Sequence, residues 1–464
     1  MHEELSLPLQ NPLYAGVVVV GGGLAGLAAA AYAARSGRTV TLFEKASQPG
    51  GRAMTNHRAG FSMNLGAHAL YYQAEAGEVL RELGVPYSGK EPPSLFALSG
   101  DKLHKLPLSP LTLLRSTLLD VPAKLEMSRV LAAVMLANTQ SLQRMSLQEW
   151  LEQHVRHSQL RALLLMIARL TTYTNAPELL SATLFIDIMR KAPKVLYLDG
   201  GWQTLVDGLR QAALDAGARI VTGARVVAVE HEERVQGVQG VQGVQGVQGV
   251  RLANGELFPA EAVIVATGPE EASALLDGGE HAALRRWVQE AVPARVACLD
   301  VALKSLPEPK HLGVLSLDQP LYMVVHSASA RLAPENGALI HTIKYLKPGE
   351  RYDPQAVEHE LESLLNRFQP GWQREVSEQQ FLPHMNATNA IVQAHSGGLT
   401  GRPGPEVPGI RNLYMAGDWV GSAGQLASAS LASARLAAQL ACKQILPPKQ
   451  TAVESDYSFT IGTR

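Results

Sequence analysis

Gly21-x-Gly23-x-x-Gly26 follows directly on the valine-rich run 16–20 and opens an alanine-rich stretch from Leu24 to Ser36. Glycines at this spacing permit a tight turn, close approach of backbone to a diphosphate and close helix packing. The amides at a helix N-terminus then favour the anionic charge. Glu44 lies 18 residues beyond Gly26, at the end of the next β-like run. There it is placed to accept hydrogen bonds from adenosine ribose hydroxyls, and an acid in that place disfavours a 2′-phosphate. A glycine-rich turn with no ligand is the plainer reading, but it leaves the acid unexplained. The fingerprint alone does not separate NAD from FAD. Gly50-Gly51-Arg52 follows within a few residues, and its amides and guanidinium are suited to the flavin side of a pyrophosphate.

These residues need elements to hold them. Gly16–Val20 reads as a strand, Leu24–Ser36 as a helix stopped by Gly37, and Thr39–Glu44 as a second strand, a βαβ unit with parallel pairing. The stretch from Leu13 to Ala34 is uncharged over 22 residues, but it holds five glycines and follows His2, Glu3 and Glu4. It therefore lacks the pattern of a membrane span or signal peptide. From about 75 to 196 the pattern is predominantly helical, with capping-box spacing at Ser146 and Glu149. Alternation returns with a helix over Gln203–Ala216, short strands near Arg219–Val221 and Arg225–Val229, and a buried strand over Ala262–Thr267. The triplet Val-Gln-Gly occurs five times within 235–250. It is read as a tandem expansion at an exposed hairpin tip, the hairpin resuming at Arg251–Leu257, because loop closure costs little more as a loop lengthens. Strand-like runs such as Val296–Leu303 and Ala338–Tyr345 point to a second sheet. The chain closes with a strand over Asn412–Ala416, a helix over Ser428–Ala441 and a polar tail after Pro447.

A length of 464 residues suggests two to four structural units. With 41 basic and 42 acidic side chains, the net charge of -1 provides no overall field toward nucleic acid. The two cysteines, Cys298 and Cys442, cannot build a disulfide framework or a metal site, and suit a reducing, cytoplasmic setting.

Taken together, Gly21-x-Gly23-x-x-Gly26, Glu44 and Gly50-Gly51-Arg52 resemble the flavin-containing amine oxidase and phytoene desaturase superfamily. The resemblance recurs at Tyr197-Leu198-Asp199-Gly200-Gly201-Trp202, at Ala224–Val229 and at Leu413–Gly421. It implies that the backbone at Val226 holds the adenine, and that Gly417-Asp418 lies near the ribityl chain and adjacent phosphate. The implied fold is α/β: a Rossmann-type FAD-binding domain assembled from 15–75, 197–275 and 405–445, with a mixed helical and β-sheet substrate domain from 76–196 and 276–404. The chain departs from the family at Ala427–Ser430 and Ser433-Ala434, where glycines are common, so the last helix is expected slightly farther from the flavin. No cysteine lies near Asp418, which implies non-covalent FAD. Neither Lys304 nor Lys344 aligns with the lysine that many amine oxidases place near the flavin.

The expected activity is dehydrogenation, favouring C–C desaturation of a hydrophobic small molecule, by two-electron transfer to flavin with an unassigned acceptor. Alternatives are an amine oxidase, a polyene isomerase without net redox change and a non-enzymatic flavin-binding subunit. His68, in Asn64-Leu65-Gly66-Ala67-His68, is the candidate catalytic side chain, beside an equally good reading as a structural histidine. Tyr173 and Asn175 are candidates to line a substrate cavity, with core packing the preferred reading of Tyr173. The segment Pro107–Leu119 is either a peripheral membrane contact or a buried helix.

Overall fold

The structure, a computed structural model, describes residues 15–107, 110–231 and 245–444. Valine at 17–20 and a β-branched, apolar run at 40–43 favour fully buried strands, and these form as β1 (Ala15–Val20) and β2 (Val40–Phe43). The helix α1 (Leu24–Arg35) crosses between them, and β1 and β2 pair in parallel, Val17 opposite Val40 through Val20 opposite Phe43. Gly37, at φ 83°, follows the helix end at Ser36.

The parallel sheet runs Leu413–Met415, Leu257–Val265, β1, β2, Arg219–Val221. Its strands thus come from both ends and the middle of the chain. The strand Leu257–Val265 is shared: its first residues pair antiparallel with Gln245–Leu252, which pairs in turn with Val226–His231. The hairpin therefore resumes at Gln245, earlier than the expected Arg251, so the last Val-Gln-Gly triplet lies within a strand. Antiparallel pairing with 226–231 tolerates the triplet through an irregular register between Glu230 and His231. The rest of the repeat, at 232–244, and the tail after 444 lie outside the described residues.

One face of the parallel sheet is covered by α1, Gln203–Asp215 and Leu426–Gln444. The alanines 28–31 of α1 are fully buried, and side chains this small let the helices approach closely. The second sheet has seven strands in the order Val376–Thr388, Ala294–Leu303, Ala338–Tyr345, Leu321–Val325, Gly313–Ser316, Phe96–Ser99 and Lys102–Lys105. The last two form a hairpin inside the stretch read as predominantly helical. Its Gly100-Asp101 turn, with Gly100 at φ 55°, and the strand edge that Gly313–Ser316 offers to Phe96–Ser99 override the helical average of the region. The rest of that stretch is helical, and the capping box at Ser146 and Glu149 is present on both sides. Within 107–119, Leu113, Leu118 and Leu119 are buried, which is the buried-helix reading of that segment. Among the described residues no helix is long and apolar enough to cross a membrane.

Candidate functional site

Where β1 ends, Gly21 takes φ 103° and the chain turns into α1. A Cβ on Gly26 would lie 1.8 Å from the Gly21 carbonyl oxygen, so only glycine lets the helix start this close to the strand. A Cβ on Gly23, in contrast, would meet nothing within 4 Å. It would project into a cavity of about 740 Å³ that runs along the C-terminal end of the parallel sheet, where ligands bind in open α/β sheets.

The loop of Gly50, Gly51 and Arg52 lies against this turn. Gly50 N donates to Gly22 O at 2.8 Å, and Gly23 and Gly50 form an isolated parallel bridge. Glu44 is buried; its Oε2 accepts from Gly22 N at 2.6 Å and its Oε1 from Ala46 N at 2.7 Å. The carboxylate is thereby fixed at the cavity wall beside Val226, which lines the same end. Two backbone loops bare of side chains, a helix N-terminus and a fixed carboxylate form a cradle whose donor set fits a dinucleotide diphosphate and its ribose.

Asp418 is buried under the middle of the cavity. Its Oδ2 accepts from Arg52 at 2.9 Å and from the Asn389 amide at 3.0 Å, and its Oδ1 accepts from Asn389 Nδ2 at 2.8 Å. Burial pushes this carboxyl up, but Arg52 and the Asn389 donors outweigh it and hold it below the ordinary carboxylate range. For Arg52, burial pulls the guanidinium down and Asp418 more than compensates. Resemblance implies a place for Asp418 beside the ribityl chain; the structure adds that three protein donors already occupy it. Gly417, at φ 153°, is pinned by Ser433, whose Oγ accepts from Gly417 N and lies equally close, 2.9 Å, to Gly417 O. The serine that departs from the family pattern thus ties the last helix to the flavin-motif turn.

Sequence reasoning missed Asn389 and Arg402. Asn389 follows the long strand Val376–Thr388 of the second sheet. Arg402 donates to the carbonyls of Asp418, Ala423 and Gly424, with no hydrogen-bonded carboxylate among the described residues; burial lowers its guanidinium to about 10. It braces the loop that carries Asp418. No local pattern marks either residue, because their partners lie at least 16 residues away.

At the far end the cavity is walled by Ala67, His68, Tyr71, Tyr173, Met385 and Leu426. His68 Nδ1 lies 2.9 Å from the Gly66 carbonyl, and its ring rests on Trp202 at 4.9 Å. Burial holds His68 below its usual range, ahead of the Gly66 and Arg52 carbonyls that favour its proton, so the imidazole is neutral near pH 7. Tyr173 does both things the sequence allowed: it packs against the buried core and lines the cavity. Its backbone ends the helix Ser158–Thr172 in a left-handed conformation that turns the ring inward, and its hydroxyl donates to Ala67 O at 3.0 Å. Asn175 does not line it; its side chain donates to Tyr345 O. Lys304 and Lys344 are likewise absent from the lining, Lys344 being paired with Glu360. Neither cysteine reaches the cavity.

The sequence profile of the family described as flavin containing amine oxidoreductase matches residues 24–442. Among solved structures, an oxidoreductase from Methanosarcina mazei is 19% identical, covering 90% of this chain and 99% of its own, with a TM-score of 0.68. The cyclohexylamine oxidase of Brevibacterium oxydans is 15% identical, covering 92% and 98%, with a TM-score of 0.65. At such identities the likeness concerns the fold. Lysine-specific histone demethylase 1 homolog 2 of Oryza sativa subsp. japonica is 41% identical over 78 residues, 16% of this chain and 10% of that protein's length. With the dinucleotide cradle and a match over most of its length, the chain belongs to the flavin-containing amine oxidoreductase family and is an FAD-dependent oxidoreductase.

Proposed function

We propose that the protein dehydrogenates a neutral, hydrophobic small molecule, with desaturation of a C–C bond as the favoured reaction. One observation carries this reading: among the described residues, the far wall of the cavity holds no charged side chain. Glu44, Lys45, Arg225, Glu270 and Glu271 line the end beside the βαβ turn, and Arg52 and Asp418 engage each other in the middle. The rest of the lining is uncharged: it includes Ala67, Tyr71, Tyr173, Met385 and Leu426, polar side chains such as Asn386, Ser428 and Ser430, and a histidine kept neutral by burial. A protonated amine brought there would lose its hydration with no carboxylate to replace it, a heavy cost in a water-poor site. A neutral apolar chain loses nothing comparable and gains the burial of its surface.

When bound, FAD supplies the two-electron acceptor for a hydride leaving the substrate carbon. The protein's part is to seat the substrate against the ring, to exclude water with Tyr71, Tyr173 and Met385, and to keep His68 uncharged. Anaerobic mixing of the FAD-loaded protein with neutral polyenes and alkenes, and separately with mono- and diamines, tests the reading. Bleaching of the flavin band by the neutral set is expected. Bleaching by amines, with release of ammonia after oxygen is admitted and none by the neutral set, overturns it.

A lipid surface is the proposed source of such a substrate. Four of the most exposed large apolar side chains, Val121, Leu125, Met135 and Leu136, lie on one helix, Val121–Leu136, each at least 62% exposed. At 100° per residue they form a single stripe, with Lys124 and Arg129 on its two flanks. That pattern suits an anionic bilayer. Co-sedimentation with phosphatidylglycerol vesicles is expected, and should fall about tenfold or more in Leu125→Glu/Leu136→Glu; equal sedimentation of both proteins overturns the contact.

A further inference from the structure

Among the described residues, seven other than glycine take a left-handed backbone. Ala59, Ala192, Asp277, Asn336 and Asn412 are small or turn-forming, and none lines the cavity. The remaining two are bulky, Tyr173 at φ 57° and Leu426 at φ 54°, and both line it. A large side chain in this region is uncommon, because its Cβ crowds the adjoining carbonyl. It persists only where the surroundings over-determine it, and such positions gather where a side chain must be delivered to a site.

The surroundings are specific. Tyr173 ends its helix with its N–H donating to Arg169 O at 2.8 Å, its hydroxyl donates to Ala67 O, and its ring meets that of Tyr345 edge-on at 6.1 Å. Leu426 opens the helix Leu426–Gln444. The residue before it, Gln425, donates from Nε2 to the Thr171 carbonyl at 3.1 Å, and the Tyr71 hydroxyl donates to that same carbonyl at 3.2 Å. One carbonyl, two residues before Tyr173, therefore joins the three chain segments that carry Tyr71, Tyr173 and Leu426 to the wall. Glycine or asparagine would make both turns with less strain, so the gain from tyrosine and leucine lies in the side chains placed in the cavity.

We propose that Tyr173 and Leu426 are specificity-determining residues, a paired wall that limits the width of the substrate and admits a slender apolar chain ahead of a bulky cyclic one. This rests on the reading of the cavity's far end as the substrate site and deepens it. The test uses the FAD-loaded full chain and four probes: 1-decanol and 1-adamantanol, which are neutral, and decylamine and 1-adamantylamine, which are not. Binding is followed by the shift of the flavin visible band in the wild type, Leu426→Gly, Tyr173→Ala and Tyr173→Phe.

The wild type is expected to favour the linear probe of a pair. Leu426→Gly and Tyr173→Ala should each shift the linear-to-cyclic affinity ratio roughly tenfold toward the cyclic probe, the scale of discrimination set by a few methylene-sized groups. Tyr173→Phe, which keeps the ring, should restore the ratio. Glycine suits the backbone at 426, so that variant keeps its fold and FAD content and decides the matter if Tyr173→Ala does not fold. An unchanged ratio in Leu426→Gly, or no band shift from any probe with any of the proteins, overturns the proposal. Binding of the amines but not the alcohols defeats the neutral-substrate reading alone, since the wall is then judged by the ratio within the amine pair.

Discussion

Gly23 and Gly26 stand three residues apart in one motif and do different work. Gly26→Ala puts a methyl group into the Gly21 carbonyl; overpacking of this kind costs about 1–3 kcal/mol. Thermal unfolding of FAD-free protein should show that loss. Gly23→Ala, whose methyl enters open space, should leave FAD-free stability within about 0.5 kcal/mol and weaken FAD binding instead. If both variants lose stability equally, the cradle is misassigned. Asp418→Asn removes the charge that Arg52 meets and turns an acceptor into a donor facing the Asn389 amide, a loss of about 1–3 kcal/mol. The Asp418 carboxyl is depressed in the folded state, so its contribution is complete above the unfolded carboxyl range near 3.9 and disappears as pH falls through the lower folded value. Acid unfolding curves should therefore separate the two proteins above that range and converge below it. The glycines and Glu44 were legible in sequence because each sits in a fixed relation to a local turn, and Asp418 only through the resemblance of Leu413–Gly421 to the family motif. Asn389 and Arg402 were not, since only the meeting of distant segments gives them partners.

At the scale of elements, local chemistry was most readable where the element carries its own stop and start signals. Ser146 accepts from Glu149 N at 3.2 Å and Glu149 reaches back to Ser146 N at 2.8 Å. Ser146→Ala should cost about 1 kcal/mol by chemical denaturation; an unchanged midpoint would show that the first turn is held by packing alone. The hairpin 96–105 was misread for the opposite reason. Its strands are four residues each, too short for period-two alternation to stand out against the helices around it, and they form because an existing sheet edge at Gly313–Ser316 accepts them. The final helix shows a third case. Alanine and serine stand there in place of glycine, and the Ser433 hydroxyl supplies a direct tie to Gly417 that their identity alone did not announce.

Across the whole molecule, the second sheet buries a polar group of side chains that no motif announced. His341 Nδ1 meets Asp300 at 2.6 Å with both residues fully buried, His326 packs edge-on to His341 at 4.4 Å, and Tyr197 stacks on His326 at 3.8 Å. Burial holds His326 well below its usual range, and His68 is lowered for the same cause. The unfolded chain takes up these protons near pH 6.5 and the folded chain resists them. Stability is therefore full above about pH 6.5 and declines as pH falls from there toward the depressed values. The urea midpoint should decline between roughly pH 6.5 and 5, less steeply in His326→Gln; a midpoint constant over that interval for the wild type removes the histidines from the acid response. The split origin of the parallel sheet bears on how the protein is made. Leu257–Val265 finds β1 as soon as it leaves the ribosome, but its other edge waits for Leu413–Met415. At about 5–20 residues per second that wait is on the order of ten seconds. Throughout it, the nascent chain displays an unpaired, fully apolar strand edge at Val263–Val265, so production of this protein rewards chaperone capacity and uninterrupted synthesis between the two strands, since a pause there prolongs the exposure.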